Sequence, residues 1–255
     1  VLAELRFDGA PVVVTGAGSG IGRAACLIFA ELGASLVLVG RSLERLEATA
    51  ALVAPGGAPP LCIAADVTDE ADVARVREAV DARFGQCRAL VNNAGASDRA
   101  MLGELESARW HALIDVHLNG TFYMTRALLP LLEAAGGRGA IVNVASIFGL
   151  MGPAAMPAYA AAKGAIIALT RQLAVDYGPR GVRVNSVNPG PILTERLREG
   201  YADGTRDIRA TAAAVVLGRL GEPREVGNAI AFLASDAASY VHGATVVVDG
   251  GRTIR

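Results

Sequence analysis

Cysteine is scarce. The chain has three, Cys26, Cys62 and Cys87, scattered and odd in number. They match no metal-ligand spacing and no disulfide framework, so they read as small core hydrophobes in a reducing compartment. Charge imbalance is missing too: a formal net charge of -1 provides no basic footprint for nucleic acid or an anionic membrane. Long apolar runs are also absent. The mean hydropathy of +0.38 raises the question of a membrane, but charge, Gly or Pro cuts each run well short of the roughly 20 residues a spanning helix needs. The N-terminal stretch VLAELRFDG has neither the cationic start nor the apolar stretch of a signal peptide. These absences lead us to expect a soluble, cytoplasmic protein without a metal, whose partner is a small molecule.

With 255 residues and 52% hydrophobic content, the chain can bury a large core, and we expect one domain over 1–255. Short aliphatic runs recur as PVVVT, SLVLVG, LCIAAD, ALVNNA, AIVNVAS, VRVNSV and TVVVDG, the first six each followed by a segment with helical spacing. Runs this apolar on both sides suit central parallel strands covered on both faces. The expected fold is therefore α/β: a Rossmann-type, doubly wound, mainly parallel sheet of seven strands, with its ligand at the C-terminal strand ends. There is no internal repeat and no domain linker; APGGAPP at 54–60 reads as a surface turn.

The first run enters TGAGSGIG at 15–22, followed directly by a helical segment. Gly16, Gly20 and Gly22 would let backbone approach a pyrophosphate at the helix N-terminus, the site of a dinucleotide. The second run ends at Gly40, with Arg41 next. An acid here would favour NAD by holding the ribose 2′-hydroxyl; Gly40 removes that preference and Arg41 can pair with a 2′-phosphate, so NADP(H) is expected, with NAD(H) the alternative.

Candidate chemistry lies in Ser146, at the end of a strand, and in YAAAK at 159–163. Pro157 suits a first helical turn, and the four-residue spacing stacks Tyr159 and Lys163 on one face. A tyrosine titrating near ~10 needs help at neutral pH. A lysine charge about 4–5 Å away would lower it by roughly 2–3 units, provided that burial does not win.

Together these motifs resemble the short-chain dehydrogenase/reductase family, in its small single-domain branch, over nearly the whole chain. TGAGSGIG matches that family's TGxxxGxG, Asp66-Val67 its adenine-contacting pair, NNAG at 92–95 its fourth-strand signature, Ser146 with Tyr159 and Lys163 its catalytic set, and NPGPILT at 188–194 its nicotinamide segment. The resemblance implies hydride transfer between nicotinamide and a carbonyl or secondary alcohol. In that reading Tyr159 is the acid/base, Lys163 binds nicotinamide ribose and lowers the Tyr159 pKa, and Ser146 orients substrate. It further implies a cofactor surface of Gly16, Ser19, Gly20, Ile21 and Gly22, then Arg41, Asp66 and Val67, then Asn93, Ala94 and Gly95, and finally Pro189, Gly190, Ile192 and Thr194 beside Tyr159 and Lys163. Family tetramers suggest a homotetramer or a dimer, in keeping with the apolar, small surface of the helix around 158–175.

His117, in IDVHLNGTF, departs from the pattern. Seven residues after Trp110 the family commonly carries Asn, holding a water that joins Lys to solvent. Asn119 lies roughly 200° further round a helix and cannot replace it. His117 is therefore either a substituted proton relay or a silent core histidine. The substrate wall is expected from Ala96, Ser97, Ile147, Phe148, Met151, Met156 and Pro191, under a lid at about 191–220. That lid carries Arg196, Arg198, Arg206 and Arg209, which read more readily as a solvated face than as an anion site. The rivals are a dinucleotide-binding protein without turnover and a sugar-nucleotide epimerase relative, the second disfavoured by its TGxxGxxG pattern and larger C-terminal domain.

Overall fold

In the computed structural model, residues 3–53, 59–202 and 207–254 are described. Most of the turn expected at 54–60, and Arg206, lie outside these residues. The seven apolar runs form β1 (Pro11–Thr15), β2 (Ser35–Gly40), β3 (Leu61–Ala64), β4 (Ala89–Asn92), β5 (Gly139–Val144), β6 (Val182–Pro189) and β7 (Thr245–Val248). They pair in parallel throughout, in the order β3-β2-β1-β4-β5-β6-β7.

Alternation along each strand divides the core in two. Val12 and Val14 of β1 join Leu36 and Leu38 of β2 on one face, under α1 (Gly20–Glu31) and α9 (Pro223–Ala234). Val13, Val37 and Val39 point the other way, under α3 (Glu70–Phe84) and α5 (Gly120–Glu133). Strands without a polar face therefore require helices on both sides, and each crossover provides one. The remaining helices are α2 (Leu43–Leu52), α4 (Ser107–Ile114), α6 (Pro157–Tyr177), α7 (Glu195–Ala202) and α8 (Ile208–Ala213). None among the described residues is long and apolar enough to cross a membrane. Cys26 and Cys87 are fully buried and all three cysteines are free; burial pushes the Cys87 thiol up to about 12, which leaves it unreactive.

Strand order reverses between β1 and β4, which opens a crevice beyond their C-terminal ends. The glycine-rich loop follows β1 and NNAG closes β4, so topology brings both to one place. Thr15 ties them together: its Oγ1 accepts the amides of Asn93 at 2.9 Å and Ala94 at 3.0 Å, and Asn93 Nδ2 donates to the Thr15 carbonyl at 2.9 Å.

Candidate active site

The loop between β1 and α1 is built for close approach. Gly16 has φ +66, and a Cβ there would lie 2.9 Å from Asn93 Nδ2; a Cβ on Gly22 would lie 2.2 Å from the Gly16 carbonyl oxygen. The chain itself shows that the loop accepts an anion: the Gly20 amide donates to Glu195 Oε2 at 3.0 Å, while Arg23 pairs with Oε1 at 3.1 Å. A carboxylate on the first amide of a helix takes the position a phosphate would favour, so these residues fit a dinucleotide.

A cavity of about 830 Å³ runs from this loop along the strand edge. Of the expected cofactor residues, Gly16, Ser19, Gly20, Ile21, Asn93, Gly95, Tyr159, Lys163, Pro189, Gly190, Ile192 and Thr194 line it, as do Ala96, Ser97, Ile147, Phe148, Met156 and Pro191 of the expected substrate wall. Gly22, Arg41, Asp66, Val67 and Ala94 do not. Gly22 is buried inside α1, Ala94 packs on the core beneath, and the other three belong to the β2 and β3 ends of the sheet. Met151 of the expected wall is likewise not in the lining; it lies in the turn after Ser146, where its amide donates to Ile147 O at 3.0 Å.

Ser146, Tyr159 and Lys163 converge as the spacing predicts. Pro157 opens α6, with Tyr159 and Lys163 in its first two turns. Lys163, the sequence's single lysine, is buried and donates to the Val144 carbonyl at 2.7 Å, with Nζ 5.7 Å from the centre of the Tyr159 ring. Burial lowers its pKa to about 7, so at neutral pH it is a partial charge rather than a fixed cation. Burial also raises Tyr159; the opposing influences are a hydrogen bond with Ser146 and the charge of Arg196. The lowering of the phenol expected from the four-residue spacing is therefore outweighed by burial.

His117 stands across from Tyr159, ring to ring at 5.2 Å and 89°. It lies in a π-helical stretch, Asp115–Asn119, between α4 and α5, a distortion that often marks functional sites. Its imidazole fits only because residue 95 is glycine: a Cβ there would lie 2.3 Å from His117 Cε1. Nε2 is 2.6 Å from the Ala96 carbonyl and 3.2 Å from the Ala96 amide. The shorter contact requires a proton between nitrogen and oxygen, which leaves Nδ1 as a bare acceptor, buried with no partner among the described residues. Burial, with Lys163 next, pushes the imidazole pKa down to about 3. Asn119 is turned away and donates to Asp115 Oδ1 at 2.7 Å.

Behind the site lies a buried polar chain that sequence reading did not find. Asn92 Nδ2 donates to Thr125 Oγ1 at 3.0 Å and Asn143 Oδ1 at 2.9 Å, and Asn143 Nδ2 donates to Thr170 Oγ1 at 2.9 Å. It locks β4 and β5 to α5 and α6. Paired asparagines in two apolar strands were the available signal. In front, the segment from Pro191 to Gly221 is pinched at its neck: Leu193 N donates to Gly221 O at 2.7 Å and Gly221 N to Pro191 O at 3.0 Å. Both of its helices reach the cavity, α7 through Arg196, Leu197 and Tyr201, and α8 through Ala210 and Thr211.

A sequence profile described as enoyl-(acyl carrier protein) reductase matches residues 16–253. A cis-4-hydroxycyclohexanecarboxylate dehydrogenase from Sinomonas cyclohexanicum is 45% identical over 94% of this chain and 95% of its own length. The chain belongs to the short-chain dehydrogenase/reductase family. This family member is an NAD(P)-dependent oxidoreductase that moves a hydride between nicotinamide and a carbonyl or secondary alcohol. A D-threitol dehydrogenase from Mycolicibacterium smegmatis is 39% identical over 99% of this chain and 96% of its own length. Among solved structures, an NAD(P)-dependent gluconate 5-dehydrogenase, so named provisionally, from Beutenbergia cavernae with bound NADP superposes at a TM-score of 0.91, with 37% identity over 99% of this chain and all of that one.

Proposed function

We propose that this short-chain dehydrogenase/reductase reduces a small ketone, or oxidises the matching secondary alcohol, with NADP(H). When bound, the cofactor supplies or takes the hydride; the chain's own residues position the substrate and handle the proton. Tyr159 exchanges the proton with the substrate oxygen, Ser146 holds that oxygen, and Lys163 holds the nicotinamide ribose. His117 acts as a neutral acceptor through Nδ1 rather than as a titrating relay. The observation that carries this reading is the convergence of Ser146, Tyr159 and Lys163 on the cavity that the glycine loop opens. A phenol held above its ordinary pKa stays protonated at neutral pH, which supports Tyr159 as the proton donor when a ketone is reduced.

Gly40 and the exposed Arg41 at the end of β2 support NADP(H), as does the NADP-containing relative. The threitol enzyme favours a second reading, a polyol substrate, with NAD(H) the alternative cofactor. The pinched segment at about 191–220 serves as the lid of a single-domain enzyme over residues 1–255. Ala161, Ala168 and Val175 form an exposed small, apolar stripe on α6, which supports a homotetramer or dimer through that helix. Three unpaired cysteines support a cytoplasmic setting.

The test follows nicotinamide absorbance with cyclic ketones, 3-oxoacyl thioesters, sugars and polyols, using NADPH and NADH. Turnover of ketones that Tyr159→Phe lowers by about 10²–10⁴, with cofactor binding unchanged, is expected. Tight cofactor binding without turnover of any compound refutes the catalytic reading, and equal or tighter NADH binding refutes the NADP(H) preference.

A further inference from the structure

We infer that the substrate carries an anionic group, a carboxylate in the simplest case, which Arg196 binds at the mouth of the cavity. This rests on the carbonyl/alcohol reading above and names its substrate class. Of the four lid arginines, the structure separates Arg196 from two others. Arg198 is taken by Glu222 at 3.7 Å, and Arg209 is exposed at the start of α8 and is not part of the cavity lining. Arg196 lines the cavity, anchored by one N–H to the Ser97 carbonyl at 2.6 Å, and Ser97 belongs to the substrate wall. A guanidinium has five N–H donors in a planar fork, so that anchor leaves most of the group available.

Several arginines elsewhere are matched to carboxylates: Arg88 and Arg138 to Asp236, Arg109 to Asp98, Arg219 to Glu225, and Arg224 to Glu31. Arg196 has no carboxylate within salt-bridge distance among the described residues. The acids that could have served it are engaged. Asp98 is held by both arms of Arg109 at 2.6 Å. Glu195 pairs with Arg23, and Asp207 accepts the Arg209 and Ala210 amides at the start of α8. Arg99 and Arg252 also line the cavity and add positive potential. Arg196 shares the cavity lining with Tyr159 and His117, so a substrate held by it lies in the same cavity as the reacting hydroxyl. An unmatched, anchored and exposed guanidinium in the cavity lining is a recognition group for a planar oxyanion.

The experiment uses the enzyme with NADPH and matched ketones: 4-oxocyclohexanecarboxylate and 4-oxopentanoate, each against its methyl ester. The acids are expected to exceed the esters in kcat/KM by roughly 10–100-fold, with a KM that rises with ionic strength for the acids only. Arg196→Gln should abolish that preference, bringing kcat/KM for each acid down to that of its ester, while leaving NADPH binding unchanged, and Arg196→Lys should restore part of it. Esters used as well as acids by the wild type, or equal losses on both with Arg196→Gln, overturn the inference, as does weakened NADPH binding in that variant, which would assign the guanidinium to the cofactor. If no ketone is reduced, the catalytic reading fails, and the anion site is read separately by calorimetry of cyclohexanecarboxylate binding to the NADPH complex. Binding lost in Arg196→Gln supports the site; no binding to the wild type refutes it.

Discussion

His117→Asn tests the protonation state on which the reading of the site depends. In the folded chain burial holds the His117 imidazole near 3, against about 6.5 when unfolded. A cation-forming group with a lowered folded pKa makes the unfolded state the better proton binder between those values, so stability falls as pH drops below about 6.5 and the loss is complete near 3. At pH 4.5 the difference is about two units, or roughly 2.7 kcal/mol, and at pH 7.5 it is close to zero. Asparagine carries no such proton. Urea unfolding of wild type and His117→Asn at both pH values should therefore show the variant gaining about 2–3 kcal/mol relative to wild type on acidification, whatever their difference at pH 7.5. Because the imidazole stays neutral, ketone reduction should show no inflection near 6.5 that the variant removes, and the variant should retain most activity, whereas His117→Ala should slow turnover. A stability difference independent of pH, or a kcat inflection near 6.5 lost in the variant, would refute the neutral buried acceptor and revive a titrating relay.

The buried Lys163 gives an effect of the same sign in a higher pH window. Its folded pKa of about 7 lies below its unfolded value, so Lys163→Met should inactivate the enzyme yet be more stable than wild type. That advantage should be full below pH 7 and shrink by about 3 kcal/mol by pH 9.5, as measured by denaturant unfolding; an advantage that grows with pH would contradict it. Gly95→Ala drives a Cβ into the His117 ring and should destabilise by about 1–3 kcal/mol. Combined with His117→Ala it should lose much of that penalty, so additive effects in the double-mutant cycle would count against the contact. Asn143→Ala leaves Asn92 and Thr170 without a shared partner and should lower stability by about 1–3 kcal/mol, while Asn143→Asp with intact stability would show that the chain is not closed as described.

The seven strands were legible because each is a local pattern: a β-branched run apolar on both sides, cut by turn residues, states its own conformation and its own burial. The same holds for the glycine loop, whose place between a strand and a helix is written in adjacent residues, and for Tyr159 and Lys163, whose spacing is a property of one helix. Ser146 was legible as a strand end, and parallel topology carried it to the same edge as the loop.

What tertiary structure alone decided lies in contacts between residues far apart in the chain. Glu195 reaches Gly20 across 175 positions, and Arg196 anchors on Ser97 across 99; neither leaves any period in the sequence. The His117 tautomer depends on the Ala96 carbonyl, 21 residues away, and its protonation on burial, which no spacing expresses. Met151 and Met156 look alike as cavity-wall candidates, yet only Met156 is in the lining. Local periodicity determined which segments pack and where the reactive side chains start. The charge on Lys163, the protonation of Tyr159 and the place of Arg196 in the cavity lining were set by desolvation and long-range contact, which exist only once the chain is folded.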